Sequence, residues 1–250
     1  MPIIVGRTPY ISSEPMYFDM PKRGIEVQEL PPNEMAAAIA AGRLQGGLVP
    51  LVDTFDLDSS MQTLSGFCLA TVAAAVSVKL HSKVPIEELS GKTIAVPWES
   101  PTAVKLLQVL LSIKHGSKPA AYVSDSDEHD ARLLVGNLGL RHRRGLRGYA
   151  HVYDLGEEWL RWTNLPFVFA RWVIRTDVPR QDALIIEDSL YTSLQDWADG
   201  LYRVKGPSVP LPVHPQEIHQ YTQGLRYYIG VPEERSIAQF EQHVGELGPA

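Results

Sequence analysis

Hydroxyl and amide side chains, placed where strands end and helices begin, are the chemistry this chain offers. Ser100, Pro101 and Thr102 stand directly before a helix. Both hydroxyls suit its cap, and proline suits its first turn. The free amides and dipole of such a helix start also favour an anion. Ser12 and Ser13, in the run Tyr10-Ile-Ser-Ser-Glu-Pro15, follow the first strand. Carboxyl ends of strands are where α/β folds bind ligands. The competing reading of that run is a turn whose serines bond the local backbone. Asn137 ends another strand, where its carboxamide can meet a ligand or cap the next helix. Ser77 lies in an apolar strand and needs a hydrogen-bond partner if buried.

Other chemistries lack their residues. His214 and His219 are five apart, not the three or four that bring two ligands to one helix face. His129 and His151 stand alone, Cys68 is the single cysteine, and no metal site is expected. No nucleophile elbow, phosphate-cradling loop or dinucleotide fingerprint is present. Glu14 reads as an exposed turn glutamate.

The composition is that of an ordinary globular protein: 250 residues, 44% hydrophobic and 21% charged. That length suits one large domain or two lobes. A net charge of −6 argues against non-specific nucleic-acid binding. The basic cluster Arg141-His-Arg-Arg-Gly-Leu-Arg147 is short and glycine-broken, and reads as a solvated loop. Cys68 has no partner for an intramolecular disulfide and reads as a small core residue. No basic-then-apolar leader precedes the first strand, and no run reaches the ~18 apolar residues of a membrane helix. A cytoplasmic protein is therefore expected.

The elements that position these residues follow a β-α-β rhythm. Strands are expected at 3–5, 25–30 and 46–52, with a helix over 35–41 between the last two. Residues 67–83 read as strands crossing between two parts of the fold. A strand at 92–97 leads through the Ser100 turn into a helix over 104–113, and 131–140 reads as a strand ending in a Gly-Asn turn. From Tyr153 to Arg175 an acidic helix start leads to Leu165-Pro166 and then to a buried strand. Trp159 and Trp162, three apart, share a helix face. Helices are expected over 183–201, 217–228 and 233–247, with a proline-rich connection at 206–212.

In this order these pieces resemble the chorismate dehydratase family of the futalosine route to menaquinone. The block from Asp154 to Val173, centred on Trp162-Thr-Asn-Leu-Pro-Phe-Val-Phe-Ala170, carries most of the likeness. Gly6-Arg-Thr-Pro-Tyr10, Gly47-Leu-Val-Pro50, Ser77-Val-Lys-Leu-His-Ser-Lys-Val-Pro85, Ser100-Pro-Thr102 and Asp130-Ala-Arg-Leu-Leu-Val-Gly136 add to it. The resemblance implies an α/β, two-lobe fold like the type II periplasmic binding proteins. Its lobes would be 1–80 plus 175–250 and 81–174, joined by two crossing strands, with a ligand cleft between them. It also implies the reaction: chorismate loses water to give 3-[(1-carboxyvinyl)oxy]benzoate, with no metal or redox cofactor. Ser12 falls at the position of the family's base, and Tyr10, Ser13, Ser77, Ser100, Thr102 and Asn137 fall among the expected substrate contacts. The implied partner is a small dicarboxylate, with no nucleic acid or membrane, and the chain would be a monomer or homodimer.

Four positions depart from the family pattern. The first loop has Ser12 where the family usually carries asparagine. Ala103 replaces a serine, Asn137 an aspartate, and Gln45 an aspartate before the third strand. These leave a second reading open: a non-catalytic small-carboxylate-binding protein, or an enzyme for another ligand, on the same scaffold.

Overall fold

The computed structural model describes residues 2–201 and 213–248. In chain order its elements are β1 (Ile4–Arg7), β2 (Glu26–Glu29), α1 (Pro32–Ala40), β3 (Gly46–Pro50), β4 (Met61–Thr71), β5 (Val78–Ser82) and β6 (Thr93–Ala95). Then come α2 (Pro101–Val109), β7 (Ala121–Val123), β8 (Ala131–Val135), α3 (Gly136–Arg141), β9 (His151–Asp154), α4 (Leu155–Thr163) and β10 (Phe167–Arg175). The last are α5 (Arg180–Ala198), α6 (Pro215–Gln223), β11 (Leu225–Tyr228) and α7 (Val231–Glu246). The chain divides into two units, Met1–Ala70 with Phe169–Gly230, and Thr71–Val168 with Val231–Ala250.

Unit 1 is built on a six-stranded sheet in the order β11-β4-β10-β3-β1-β2. β1 runs parallel to β2 and β3, and β10 runs antiparallel to β3. β3 is central and buried along its whole length. Its neighbours Leu48 and Val49 point to opposite faces, so they enter different cores. Leu48 packs with Tyr17 and Trp172, and Val49 with Met35 and Ile39. This double coverage explains a continuous apolar strand sequence. β2 is the sheet's edge strand and is half-buried as expected at 25–30: Ile25 and Leu30 are buried and Val27 packs against the core, while Glu26, Gln28 and Glu29 are exposed.

Unit 2 carries a five-stranded sheet in the order β7-β6-β8-β5-β9. β6 runs parallel to β7 and β8, while β5 runs antiparallel to both β8 and β9. α4 begins at Asp154, whose carboxylate accepts the amides of Gly156 and Glu157, and ends at Asn164 in the left-handed region. Trp159 is fully buried and meets Trp162, Phe167 and Phe240 edge-on at 5.4–5.8 Å. Its indole N–H donates to Ser236 Oγ at 3.0 Å.

That aromatic knot corrects the expected lobe boundaries. Phe240 and Ser236 lie on α7, so the C-terminal helix belongs with α4 in unit 2 and not with the first lobe. The chain therefore passes between units at three places: the end of β4, the start of β10, and Gly230–Val231. The strand expected over 131–140 stops at Val135, and a short helix replaces its Gly-Asn turn. The helix expected over 217–228 ends at Gln223, and Leu225–Tyr228 pairs into the sheet as β11. The proline-rich connection at 206–212 lies outside the described residues.

Candidate functional site

The strand directions of unit 2 gather four of the predicted residues at one sheet edge. β6, β8 and β9 end there, and β5 begins there. α2 starts beyond β6 with Ser100, Pro101 and Thr102, and α3 starts beyond β8 with Gly136 and Asn137. Ser77 precedes β5, whose Val78 pairs with Val135 at the end of β8. Ser77, Ser100 and Thr102 are buried. The Ser100 hydroxyl does not cap α2, against the sequence expectation. Proline at the first turn already removes one amide that a cap would satisfy. Gly139 seats α3 on this edge, since a β-carbon there would fall 2.0 Å from the Ser77 carbonyl oxygen.

A carboxylate that sequence reading treated only as an acidic helix start organises the same edge. Asp154 Oδ1 accepts the Ala75 amide at 2.7 Å and Oδ2 accepts the Val76 amide at 2.8 Å, in addition to its two bonds at the start of α4. Lys79 Nζ lies 3.6 Å from Oδ2. The clasp holds Val76 at φ 62°, a left-handed conformation that costs a β-branched residue about 1–3 kcal/mol. Gly156 makes room for it, because a β-carbon there would meet the Ala75 nitrogen at 2.8 Å. The segment entering Ser77 is thus fixed from both sides. The N-terminus of α4 already holds an anion, its own aspartate.

Unit 1 has a comparable edge. β1 and β3 are parallel and end together. Beyond β1 the expected loop is a 3-10 helix, Ile11–Met16, and beyond β3 lies a second one, Leu51–Thr54. Tyr10, half-buried, precedes the first of these turns, and Ser12 and Ser13 lie on it, both buried. The Ser13 hydroxyl is engaged within its own turn. It lies 2.9 Å from the Tyr10 carbonyl and 3.1 Å from that of Thr8, and it accepts from Thr8 Oγ1 at 3.2 Å. Tyr227, on the strand that sequence reading missed, donates its hydroxyl to the Ser12 carbonyl at 3.1 Å. Glu14 is buried, not exposed as expected.

Asp53, on the second turn, was also passed over. Burial alone pushes its carboxyl up to about 6, and no charged neighbour contributes. The available signal was an acid placed just past a buried strand, in Pro50-Leu-Val-Asp53.

One departure from the family pattern, Gln45, has a structural explanation. Gln45 Oε1 accepts the Ile4 amide at 2.7 Å, so this side chain completes sheet bonding. Ala103 is buried on α2. Among the described residues, no group of three or more His, Cys, Asp or Glu side chains is placed to hold a metal ion. No helix among them is long and apolar enough to cross a membrane. Arg141, Arg144 and Arg147 of the basic cluster are exposed.

A chorismate dehydratase from Thermus thermophilus is 25% identical over 264 aligned positions, covering 98% of this chain and 96% of that protein. Among solved structures, a protein from Archaeoglobus fulgidus gives a TM-score of 0.74 at 15% identity, covering 98% of this chain and 97% of that one. A Candida albicans protein described as having the generic periplasmic binding protein fold gives 0.63 at 11% identity, covering 100% and 92%. The periplasmic aliphatic sulphonate-binding protein of Escherichia coli gives 0.62 at 11% identity, covering 98% and 86%. These likenesses establish a periplasmic-binding-protein-like fold, as the sequence resemblance implied. With residues 3–246 matching the family described as menaquinone biosynthesis, the chain belongs to that family.

Proposed function

We propose that this protein is a cytoplasmic lyase that dehydrates chorismate to 3-[(1-carboxyvinyl)oxy]benzoate for menaquinone biosynthesis. The observation that carries the reading is full-length membership of the menaquinone family, with a chorismate dehydratase as a relative along almost the whole chain. The chemistry suits neutral polar edges. The substrate is a dianion, and its elimination is driven by aromatisation, so the protein must bind carboxylates, remove a ring proton and let a hydroxyl leave. The amides at the start of α2, with Ser100 and Thr102, are assigned to one substrate carboxylate, because a helix N-terminus favours negative charge. Asn137 and Ser77 line the same edge. An amide at 137 donates to a dianion where an aspartate would repel it. Ser12 stands at the position of the family's base, with Tyr10 beside it on the unit 1 turn. Holding the ring in one pose lowers the barrier by removing reorientation from the reacting step.

The test is direct. Purified protein is incubated with chorismate and the products are separated by chromatography. Formation of 3-[(1-carboxyvinyl)oxy]benzoate above the uncatalysed rate supports the assignment, and a rate equal to background removes it. One observation favours the second reading, a binding protein for another small carboxylate. The contact made by Ser12 is through its backbone carbonyl, and no imidazole or carboxylate bonds its hydroxyl among the described residues. Thermal stabilisation by other carboxylates, without turnover, would be its signature.

A further inference from the structure

A serine hydroxyl is a poor proton acceptor unless a neighbouring base takes its proton. The reaction proposed above therefore lacks a base if Ser12 acts alone. Among the described residues, unit 1 holds a partly buried carboxylate suited to that task, Asp53. β1 and β3 are parallel neighbours, with Gly6 paired to Gly47, so the chain leaves both strands at the same sheet edge. Six residues beyond Gly6 is Ser12, and six beyond Gly47 is Asp53, each on a short 3-10 turn. The Asp53 turn is pinned by Thr54 Oγ1, which donates to the Leu51 carbonyl at 2.7 Å, and by the buried Leu51 side chain. Asp53 itself is partly buried, and among the described residues its carboxylate has neither an ion pair nor a hydrogen bond. Several other acids of unit 1 are engaged: Asp19 with Arg23, Glu29 with Arg7, and Asp177 with Arg175. A desolvated acid left unpaired is uncommon in a structural role and typical of a base tuned toward neutral pH. Its carboxyl, raised to about 6 by burial, is ionised at pH 7 yet basic enough to take a proton.

We propose that Asp53 is the general base of the dehydration and that Ser12 is a hydrogen-bonding contact to the substrate. The inference rests on the reading of the protein as a chorismate dehydratase. The Asp53 carboxylate takes the ring proton as that C–H bond breaks. The freed electron pair becomes the new ring double bond, and the hydroxyl leaves the adjacent carbon with its own pair. The proton on Asp53 then joins the departing hydroxide as water, which restores the carboxylate.

The test compares wild type with Asp53→Asn, Asp53→Ala and Ser12→Ala, each checked for an intact melting transition. With chorismate at pH 7.5, Asp53→Asn and Asp53→Ala are expected to lower kcat by roughly 10²–10⁴, the contribution of a positioned base, with KM within about threefold. Ser12→Ala is expected to lose less than Asp53→Asn. Wild-type kcat/KM should fall about tenfold per pH unit below about 6, and this limb should vanish from the residual activity of Asp53→Asn. Added formate should restore part of the Asp53→Ala rate, an effect that a purely structural aspartate would not give. The inference is overturned if Asp53→Asn keeps half or more of kcat, if its acid limb persists, or if formate leaves Asp53→Ala unchanged. Absence of turnover by wild type would instead overturn the dehydratase reading and this inference with it, so the two failures are told apart by the wild-type control.

Discussion

Gly139→Ala tests the packing that fixes the unit 2 edge, and two principles predict opposite signs for it. Gly139 lies inside α3, where alanine is favoured over glycine by about 1 kcal/mol. On propensity alone the variant is more stable. Geometry says otherwise. The new β-carbon would lie 2.0 Å from the Ser77 carbonyl oxygen, 2.7 Å from its carbon and 3.0 Å from the Leu134 oxygen. Ordinary contact begins near 3.4 Å, and all three neighbours are backbone, so no side chain can swing aside. Either α3 lifts away from β5 or the Ser77 carbonyl is displaced. Overpacking of this kind costs typically 1–3 kcal/mol. A contact this short belongs at the upper end, so the net loss is about 2 kcal/mol. For a chain of this length that lowers Tm by roughly 4–8 °C.

Gly245→Ala is the matched control. It also lies in a helix, α7, and a β-carbon there meets nothing within 4 Å. That variant should gain up to about 1 kcal/mol, less whatever the last turn loses to fraying. Differential scanning calorimetry of both variants at one pH decides the matter. If Gly139→Ala melts at or above wild type, the close approach of α3 to Ser77 is not what holds this edge. Because Ser77 is a proposed substrate contact, Gly139→Ala should also raise KM for chorismate, and Gly245→Ala should leave it unchanged.

Three further outcomes are expected. Burial raises the Glu158 carboxyl, but Lys114 and His115 outweigh it and hold it below the ordinary carboxylate value, so its stabilisation is whole above the unfolded value and is lost as pH falls through the folded one. Lys114→Met should therefore cost about 3 kcal/mol at pH 7 and shift the onset of acid unfolding to higher pH; a melting profile matching wild type at every pH would refute this. Tyr227→Phe removes the bond to the Ser12 carbonyl and should cost about 1 kcal/mol while lowering kcat/KM, and unchanged kinetics would show that this bond does not place the Ser12 turn. Among the described residues, fully buried His81 has no hydrogen-bond partner for either ring nitrogen, and burial, then His142, Lys79 and Arg132, lower it from 6.5 to about 4, so its contribution is whole above 6.5 and is lost by about 4; His81→Leu should flatten stability over that window, and an unchanged slope would assign it to other groups.

The legible parts of the fold were those where local signals and tertiary demand agree. Asp154 to Arg175 reads correctly because a helix start, a proline stop and a β-branched run each act within a few residues. Prolines at 32 and 101 likewise mark the first turns of α1 and α2. β11 was illegible because Leu225-Arg-Tyr-Tyr228 is too short to show an alternation, and its strand character comes from pairing at the sheet edge. The placement of α7 was illegible for a related reason. Which unit a terminal helix joins depends on Phe240 finding Trp159, a contact across 81 positions that no local pattern encodes. For the site, hydroxyls near helix starts were visible from type and position. That the Ser13 hydroxyl is engaged within its own turn was not, because Ser13 and Ser12 look alike until the partners of Ser13 are known.

The departures from the family pattern acquire a direction once they are sorted by location. Gln45 is taken up in sheet bonding through the Ile4 amide, and Ala103 is buried on α2 next to Thr102. Asn137 and Ser12 remain, one on the sheet edge of each unit. Asn137 removes a negative charge from an edge that also carries hydroxyls, the start of α2 and the Asp154 carboxylate with Lys79 beside it, which improves that edge for an anion. In the proposed reaction, Ser12 replaces the family's asparagine with a hydroxyl that is a poor acceptor. If the ligand had changed from a dianion to a neutral molecule, gain of positive electrostatic character at 137 would have no use. A retained dianion with a relocated base accounts for both changes together, and it requires a carboxylate elsewhere on the unit 1 edge, where Asp53 stands.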